Sequence, residues 1–114
     1  MRSRLNYEET QLIASLLMRC TTHRGGHGPP ARVPQGNVRQ MAAWALGEMK
    51  TRLGVESLAA VLVNDHSEGV RQMAAWALGE IGHKDALDAL KTALNDQNQQ
   101  VRTTAKWALS EIND

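Results

Sequence analysis

The chain has 114 residues, a formal net charge of +1 and a hydrophobic share of 42%, which fits one folded domain and excludes a strong general attraction to nucleic acid or an anionic membrane. It holds no Phe, one Tyr and three Trp beside abundant Ala and Leu, so strand-favouring residues are scarce and an all-α fold is expected. Its single cysteine, Cys20, excludes an internal disulfide and points to a reducing compartment.

The first predicted element is a helix over residues 7–20. Asn6 and Glu9 stand at capping-box spacing, and Leu12, Ile13, Leu16 and Leu17 form its apolar stripe. The longest strongly apolar stretch, residues 12–18, falls far short of the roughly 20 residues a bilayer demands. It follows Glu8 and Glu9 and has no small-residue cleavage site behind it, so no secretory signal is expected and the protein reads as soluble and cytoplasmic. Residues 21–36 then carry four Gly, three Pro and two His, the composition of an irregular, mobile loop. Cys20, His23 and His27 make a C-x2-H-x3-H cluster of zinc-binding residue types at its start. A structural zinc site needs a fourth ligand, none is evident nearby, and Gly25, Gly26 and Gly28 make ordering costly, so no metal or other cofactor is expected.

The strongest signal follows. Val38-Arg-Gln-Met-Ala-Ala-Trp-Ala-Leu-Gly-Glu-Met49 recurs 32 residues later as Val70-Arg-Gln-Met-Ala-Ala-Trp-Ala-Leu-Gly-Glu-Ile81, with eleven of twelve residues identical. A third copy, Val101-Arg-Thr-Thr-Ala-Lys-Trp-Ala-Leu-Ser-Glu-Ile112, starts 31 residues on and matches the second at eight of twelve. Each copy reads as an amphipathic helix, here called a B helix. At about 100° per residue, Val70, Met73, Ala74, Ala77, Leu78 and Ile81 share the apolar face, and Gln72, Ala75, Trp76 and Gly79 lie around the other.

A shorter A-helix pattern precedes the second and third copies: Val55, Leu58, Ala59, Val61 and Leu62, then Leu87, Leu90, Ala93 and Leu94. Gly54 and Gly82 mark turns after B helices, Asn64-Asp65 and Asn95-Asp96 open the loops into the next one, and His66 and His83 are expected in solvated turns. Neither helix of a pair buries its stripe alone, so successive pairs must stack, and three units are about the minimum for such an array. The expected organisation is one domain over residues 1–114, with unit 1 at about 6–50 including the loop insertion 21–36, unit 2 at about 54–82 and unit 3 at about 84–113. In the third copy Thr103, Thr104, Lys106 and Ser110 replace the Gln, Met, Ala and Gly of the second, which reads as a polar cap ending the array. Leu5, Tyr7, Ile13 and Met18 leave apolar surface at the other end, through which a homodimer is plausible.

Trp44, Trp76 and Trp107 hold one B-helix position, roughly 140° from the centre of the apolar face. Stacking would line them up as a ladder with Gln40 and Gln72 beside them. Exposed aromatics at regular spacing suit a protein interface; rings filling the grooves between neighbouring B helices would serve packing alone, and the sequence leaves both open. Arg39, Arg71 and Arg102, with Glu48, Glu80 and Glu111, also recur, and capping and ion pairing account for them. No nucleophile triad, phosphate-binding glycine loop or helical His-Glu metal pair occurs, so no catalytic residue is assigned.

The Val-Arg-x-x-Ala-x-Trp-Ala-Leu-Gly-Glu-Ile run, continued by Gly82-His-Lys-Asp-Ala-Leu-Asp-Ala-Leu90, resembles the short HEAT-like repeats named after the phycobilisome lyases, over about residues 36–114. The resemblance implies a right-handed α-solenoid of three HEAT-like helix pairs. It also implies structural roles for the Arg after the leading Val and the Asp of the preceding loop, assigning Arg71 with Asp65 and Arg102 with Asp96 to hold loops and units together. Its functional implication is a protein-binding scaffold; the name also carries a bilin lyase or lyase accessory as an alternative. Nucleic-acid binding, through groove Trp residues, is a third reading. It is disfavoured because residues 41–114 hold seven basic and ten acidic groups, although six Arg against two Glu make residues 1–40 basic.

Overall fold

The computed structural model describes Glu8, Leu12, Ile13 and residues 35–113. The three isolated positions are helical, and Ile13 packs against the core, whereas Leu12 is exposed; the remainder of the 7–20 segment and the 21–34 part of the loop, with Cys20, His23 and His27, lie outside the described residues. Five α-helices follow: α1 (Gln35–Met49), α2 (Val55–Asn64), α3 (Glu68–Ile81), α4 (Leu87–Ala93) and α5 (Gln99–Asn113). Single 3-10 turns, Arg52–Gly54 and Lys84–Ala86, lead into α2 and α4. No strand occurs among the described residues, and none of their helices is long and apolar enough to cross a membrane.

The repeated segments are the B helices α1, α3 and α5. They form one layer in which α1 packs on α3 and α3 on α5. The A helices α2 and α4 form a second layer, α2 against α3 and α4, and α4 against α5. The chain is thus an all-α solenoid whose apolar stripes meet between the layers. Leu46, Leu58, Val61, Leu62, Val70, Leu78, Leu90 and Val101 are fully buried there. Each such aliphatic side chain contributes about 1.5–3 kcal/mol by leaving water, which is why helices as short as α4 persist only in the stack.

The turns have repeating chemistry. Thr51 Oγ1 accepts the Leu53 N–H at 3.2 Å, and one unit later His83 Nδ1 accepts the Asp85 N–H at 3.1 Å, so His83 is a half-buried cap rather than a solvated turn residue. Gly82 takes the left-handed conformation (φ 73°) that closes α3. After α1 that conformation belongs to Lys50 (φ 50°), not to Gly54, which has φ −93° and is buried. Gly54 is small for another reason: a Cβ there would lie 3.1 Å from Leu46 Cδ2.

The B helices bury more than one face. Ala75 and Gly79, placed by periodicity outside the core face, are buried, and so are Ala43 and Gly47. Met73, placed inside it, is only half-buried. A central B helix touches its A helix and a B helix on each side, so a single stripe under-counts its contacts.

Candidate functional site

The B-helix surface is built around a contact between indole and glycine. A Cβ on Gly47 would stand 2.6 Å from Cζ3 of Trp76 and 2.9 Å from the Cα and Cβ of Ala77. On Gly79 it would stand 2.5 Å from Cζ3 of Trp107, 2.9 Å from Ala108 Cβ and 3.0 Å from Ala108 Cα. Each Trp therefore leans the edge of its ring on the glycine of the preceding B helix, and the Ala after it approaches the same spot. Glycine recurs three residues after Trp because the next helix occupies the space of a side chain. The last copy carries Ser110 there, exposed, with no B helix beyond it among the described residues.

This packing leaves much of each ring outside. Trp44 is 46% exposed, Trp107 36%, and Trp76 is half-buried. Gln40, Trp44, Gln72 and Trp76 come together in a groove of 440 Å³ whose other lining residues are Gly69, Met73 and Thr104. An adjoining cavity of 350 Å³ is lined by Gln40, Met41, Trp44 and Met73. Four of the five residues expected from the sequence thus share one concavity; Trp107 lies one helix further on, over Gly79. Met41, 65% exposed, and Met73 are the large apolar lining residues that the sequence reading did not place on this face; Gly69 and Thr104 complete the lining. The signal for the two methionines was the Gln-Met pair repeated ahead of Trp44 and Trp76. None of the groove's lining side chains is ionisable.

On the loop edge a second ladder runs from unit to unit. Arg39 donates from Nε (2.7 Å) and Nη2 (3.1 Å) to the carboxylate of Asp65, whose side chain is fully enclosed and also accepts the Ser67 N–H at 2.8 Å. Arg71 repeats this with Asp96 (2.8 and 3.1 Å), and Asp96 accepts the Asn98 N–H at 2.8 Å. The Arg–Asp pairing expected within a unit is therefore offset: each carboxylate binds the Arg of the preceding B helix. The Asp of its own unit offers Arg only a main-chain carbonyl, Asp65 O to Arg71 at 2.8 Å and Asp96 O to Arg102 at 2.6 Å. Burial pushes the Asp96 carboxyl up, but the Arg71 hydrogen bond, the Asn98 N–H and the charges of Arg71 and Arg102 outweigh it, and the group stays below the usual carboxylate range. A groove of 890 Å³ lies along this edge between Leu62–Val63 and Ala93–Asn95. Of its charged groups, Asp65, Arg71 and Asp96 are committed to the ladder, and Glu68 accepts from the Asn98 amide at 2.6 Å, so it reads as a structural seam.

At the other end of the B helices Lys50 donates to Glu80 at 2.6 Å. That hydrogen bond, then the charges of Glu80 and Glu48, hold the Lys50 ammonium above its ordinary pKa. No three His, Cys, Asp or Glu among the described residues converge on a point that could hold a metal ion.

No curated protein matches the chain. Residues 31–113, which include α1 to α5, match the family described as HEAT repeats. The stacked helix pairs, the interlocked B helices and this match agree: the chain belongs to the HEAT-repeat family.

Proposed function

We propose that this chain is a non-catalytic scaffold that holds a protein partner against its B-helix face, with Trp44, Trp76, Trp107, Gln40 and Gln72 as contacts. HEAT repeats generally serve protein interaction, and stacked repeats offer extended surfaces for it. The observation that carries the reading is the uncharged groove in which Trp44, Trp76 and Met73 lie beside two carboxamides. Indoles and thioethers bury large area on contact, and the Gln side chains can satisfy the backbone groups a partner would desolvate.

Affinity capture from native extract, followed by mass spectrometry, tests the proposal when run with the native chain and with Trp44→Ala. A partner retained by the native chain and lost by a variant that stays fully folded at the capture temperature supports it. Equal retention by both chains sinks it. The resemblance to phycobilisome-lyase repeats over about residues 36–114 supports a bilin lyase or accessory role as a second reading. An absorbance shift on mixing the chain with free bilin would favour that reading, and salt-sensitive retention of duplex DNA would favour a nucleic-acid role.

A further inference from the structure

The two sides of a B helix are not alike, and the repeats reveal what each side fits. The side turned toward the following unit presents Gln40, Ala43 and Gly47 in α1; Ala43 and Gly47 are buried, as are their counterparts Ala75 and Gly79 in α3. The side turned toward the preceding unit presents Trp76 and Ala77 in α3, which close on Gly47 of α1, with half-buried Met73 beside them lining the cavity next to Gln40 and Trp44. These are complementary halves of one joint, used between α1 and α3 and again between α3 and α5.

The half-joint left over at each end differs. On α1 the leading side carries Met41, Trp44 and Ala45, the counterparts of Met73, Trp76 and Ala77. Met41 is 65% exposed, and Ala45 is partly exposed where Ala77 is fully buried. Among the described residues no B helix precedes α1. On α5 the trailing side carries Thr103, Lys106 and Ser110 where the other copies have Gln, Ala and Gly, and all three are exposed. A Trp cannot lean on Ser110, because its Cβ occupies the place that stands 2.5–2.6 Å from Cζ3 in the two joints observed. Lys106 would also bury its ammonium where Ala43 and Ala75 are enclosed.

We infer that the α1 edge is an open half-joint for a helix of another protein that presents glycine and alanine in the pattern of Gly47 and Ala43. That partner is the trailing B helix of a second solenoid, onto which this chain docks through its α1 edge. The argument is continuity: the same Trp-Ala pair on α3 already packs on such a surface, with Ala77 fully buried and one edge of Trp76 against Gly47. This goes beyond the groove reading and does not depend on it.

The chain itself supplies the probe. Lys106→Ala/Ser110→Gly rebuilds the acceptor on α5, and adding Trp44→Ala gives a chain with an acceptor and no donor edge. In sedimentation, the double variant is expected to gain mass with concentration, to at least about twice that of the native chain. The triple variant is expected to remain at its own mass alone and to form a 1:1 complex with native chain. If the double variant folds poorly by circular dichroism, Lys106→Ser/Ser110→Gly, which removes both obstacles and keeps a polar side chain, serves as the acceptor in the same mixing assay. Folded acceptors that never take up native chain overturn the inference. So does growth that persists after Trp44→Ala, or a native homodimer that Trp44→Ala dissolves, since a second copy would then already cover the edge.

Discussion

Replacing Gly79 by Ala sets two well-measured effects against each other. Alanine is about 1 kcal/mol better than glycine inside a helix, so propensity alone makes Gly79→Ala stabilising. The joint opposes it, because the new Cβ would meet Trp107 Cζ3 at 2.5 Å, Ala108 Cβ at 2.9 Å and Ala108 Cα at 3.0 Å. Carbon atoms rest at about 3.5–4.0 Å, so the ring must retreat by about 1 Å and α5 by about half that. The indole, 36% exposed, can swing outward, whereas the Ala108 contacts belong to a helix held by buried Val101 and Ala105. Overpacking of this kind costs about 1–3 kcal/mol, and with two of three contacts rigid the upper half applies. The expected net loss is about 1–2 kcal/mol, or roughly 5–10 °C in melting temperature, by urea and thermal denaturation. Ser110→Ala, at the equivalent exposed position, is expected within about 0.5 kcal/mol of native. Adding Trp107→Ala to Gly79→Ala should recover part of the loss through a coupling of about 1 kcal/mol. A Gly79→Ala chain as stable as the native one, or more so, refutes the interlocked joint.

Other outcomes follow from the same contacts. Asp65→Ala strands the Arg39 guanidinium and the Ser67 N–H in an enclosed site and is expected to cost about 2–4 kcal/mol by urea titration, with the penalties of Asp65→Ala and Arg39→Ala less than additive in the double variant. Asp96 titrates below its unfolded value of about 3.9, so the unfolded chain binds more protons in acid. The stability Asp96 contributes is therefore complete above that value and lost as pH falls through the folded pKa; urea midpoints from pH 6 to 2.5 should show a decline that Asp96→Asn flattens. Trp76→Ala uncovers Gly47 and is expected to cost about 2–3 kcal/mol, whereas Trp44→Ala, on the open edge, should cost under about 1 kcal/mol in the same assay.

The helices were legible because the repeat is literal. A twelve-residue segment written three times with a Trp at its centre leaves little room for another period, and α1, α3 and α5 contain those copies. What periodicity missed was the number of neighbours each B helix has. Ala75 and Gly79 look off-face only when one apolar stripe is allowed, and their smallness was the clue that a second helix arrives there. The Arg–Asp offset was beyond reach for a different reason: Arg71 lies six residues after Asp65 and 25 before Asp96, and only the stack decides which carboxylate closes on it. The groove was half legible. Its Trp and Gln positions follow from the repeat, but Met73 reads as core, whereas it is half-buried and lines the cavity beside Gln40 and Trp44. Of the first unit's A segment, only Glu8, Leu12 and Ile13 are described, so the Cys20, His23 and His27 reading stays an expectation.

Packing and the proposed recognition role are compatible accounts of the Trp series, because the joint uses only part of a ring. Only one edge of Trp76 and of Trp107 is spent on the neighbouring glycine, and that contact fixes where the rest of the ring stands. A ring already held in place loses little freedom when a partner covers it, so the surface is pre-organised at a cost met during folding. Consequently Trp76 and Trp107 cannot separate the two roles by truncation, since any loss of binding there arrives with a loosened joint. Trp44 can. It carries the same side chain in the same register, rests on no preceding B helix among the described residues and lines both cavities of the face. If its removal leaves the fold intact and the face inert, recognition resides in the exposed part of the ladder rather than in the integrity of the stack.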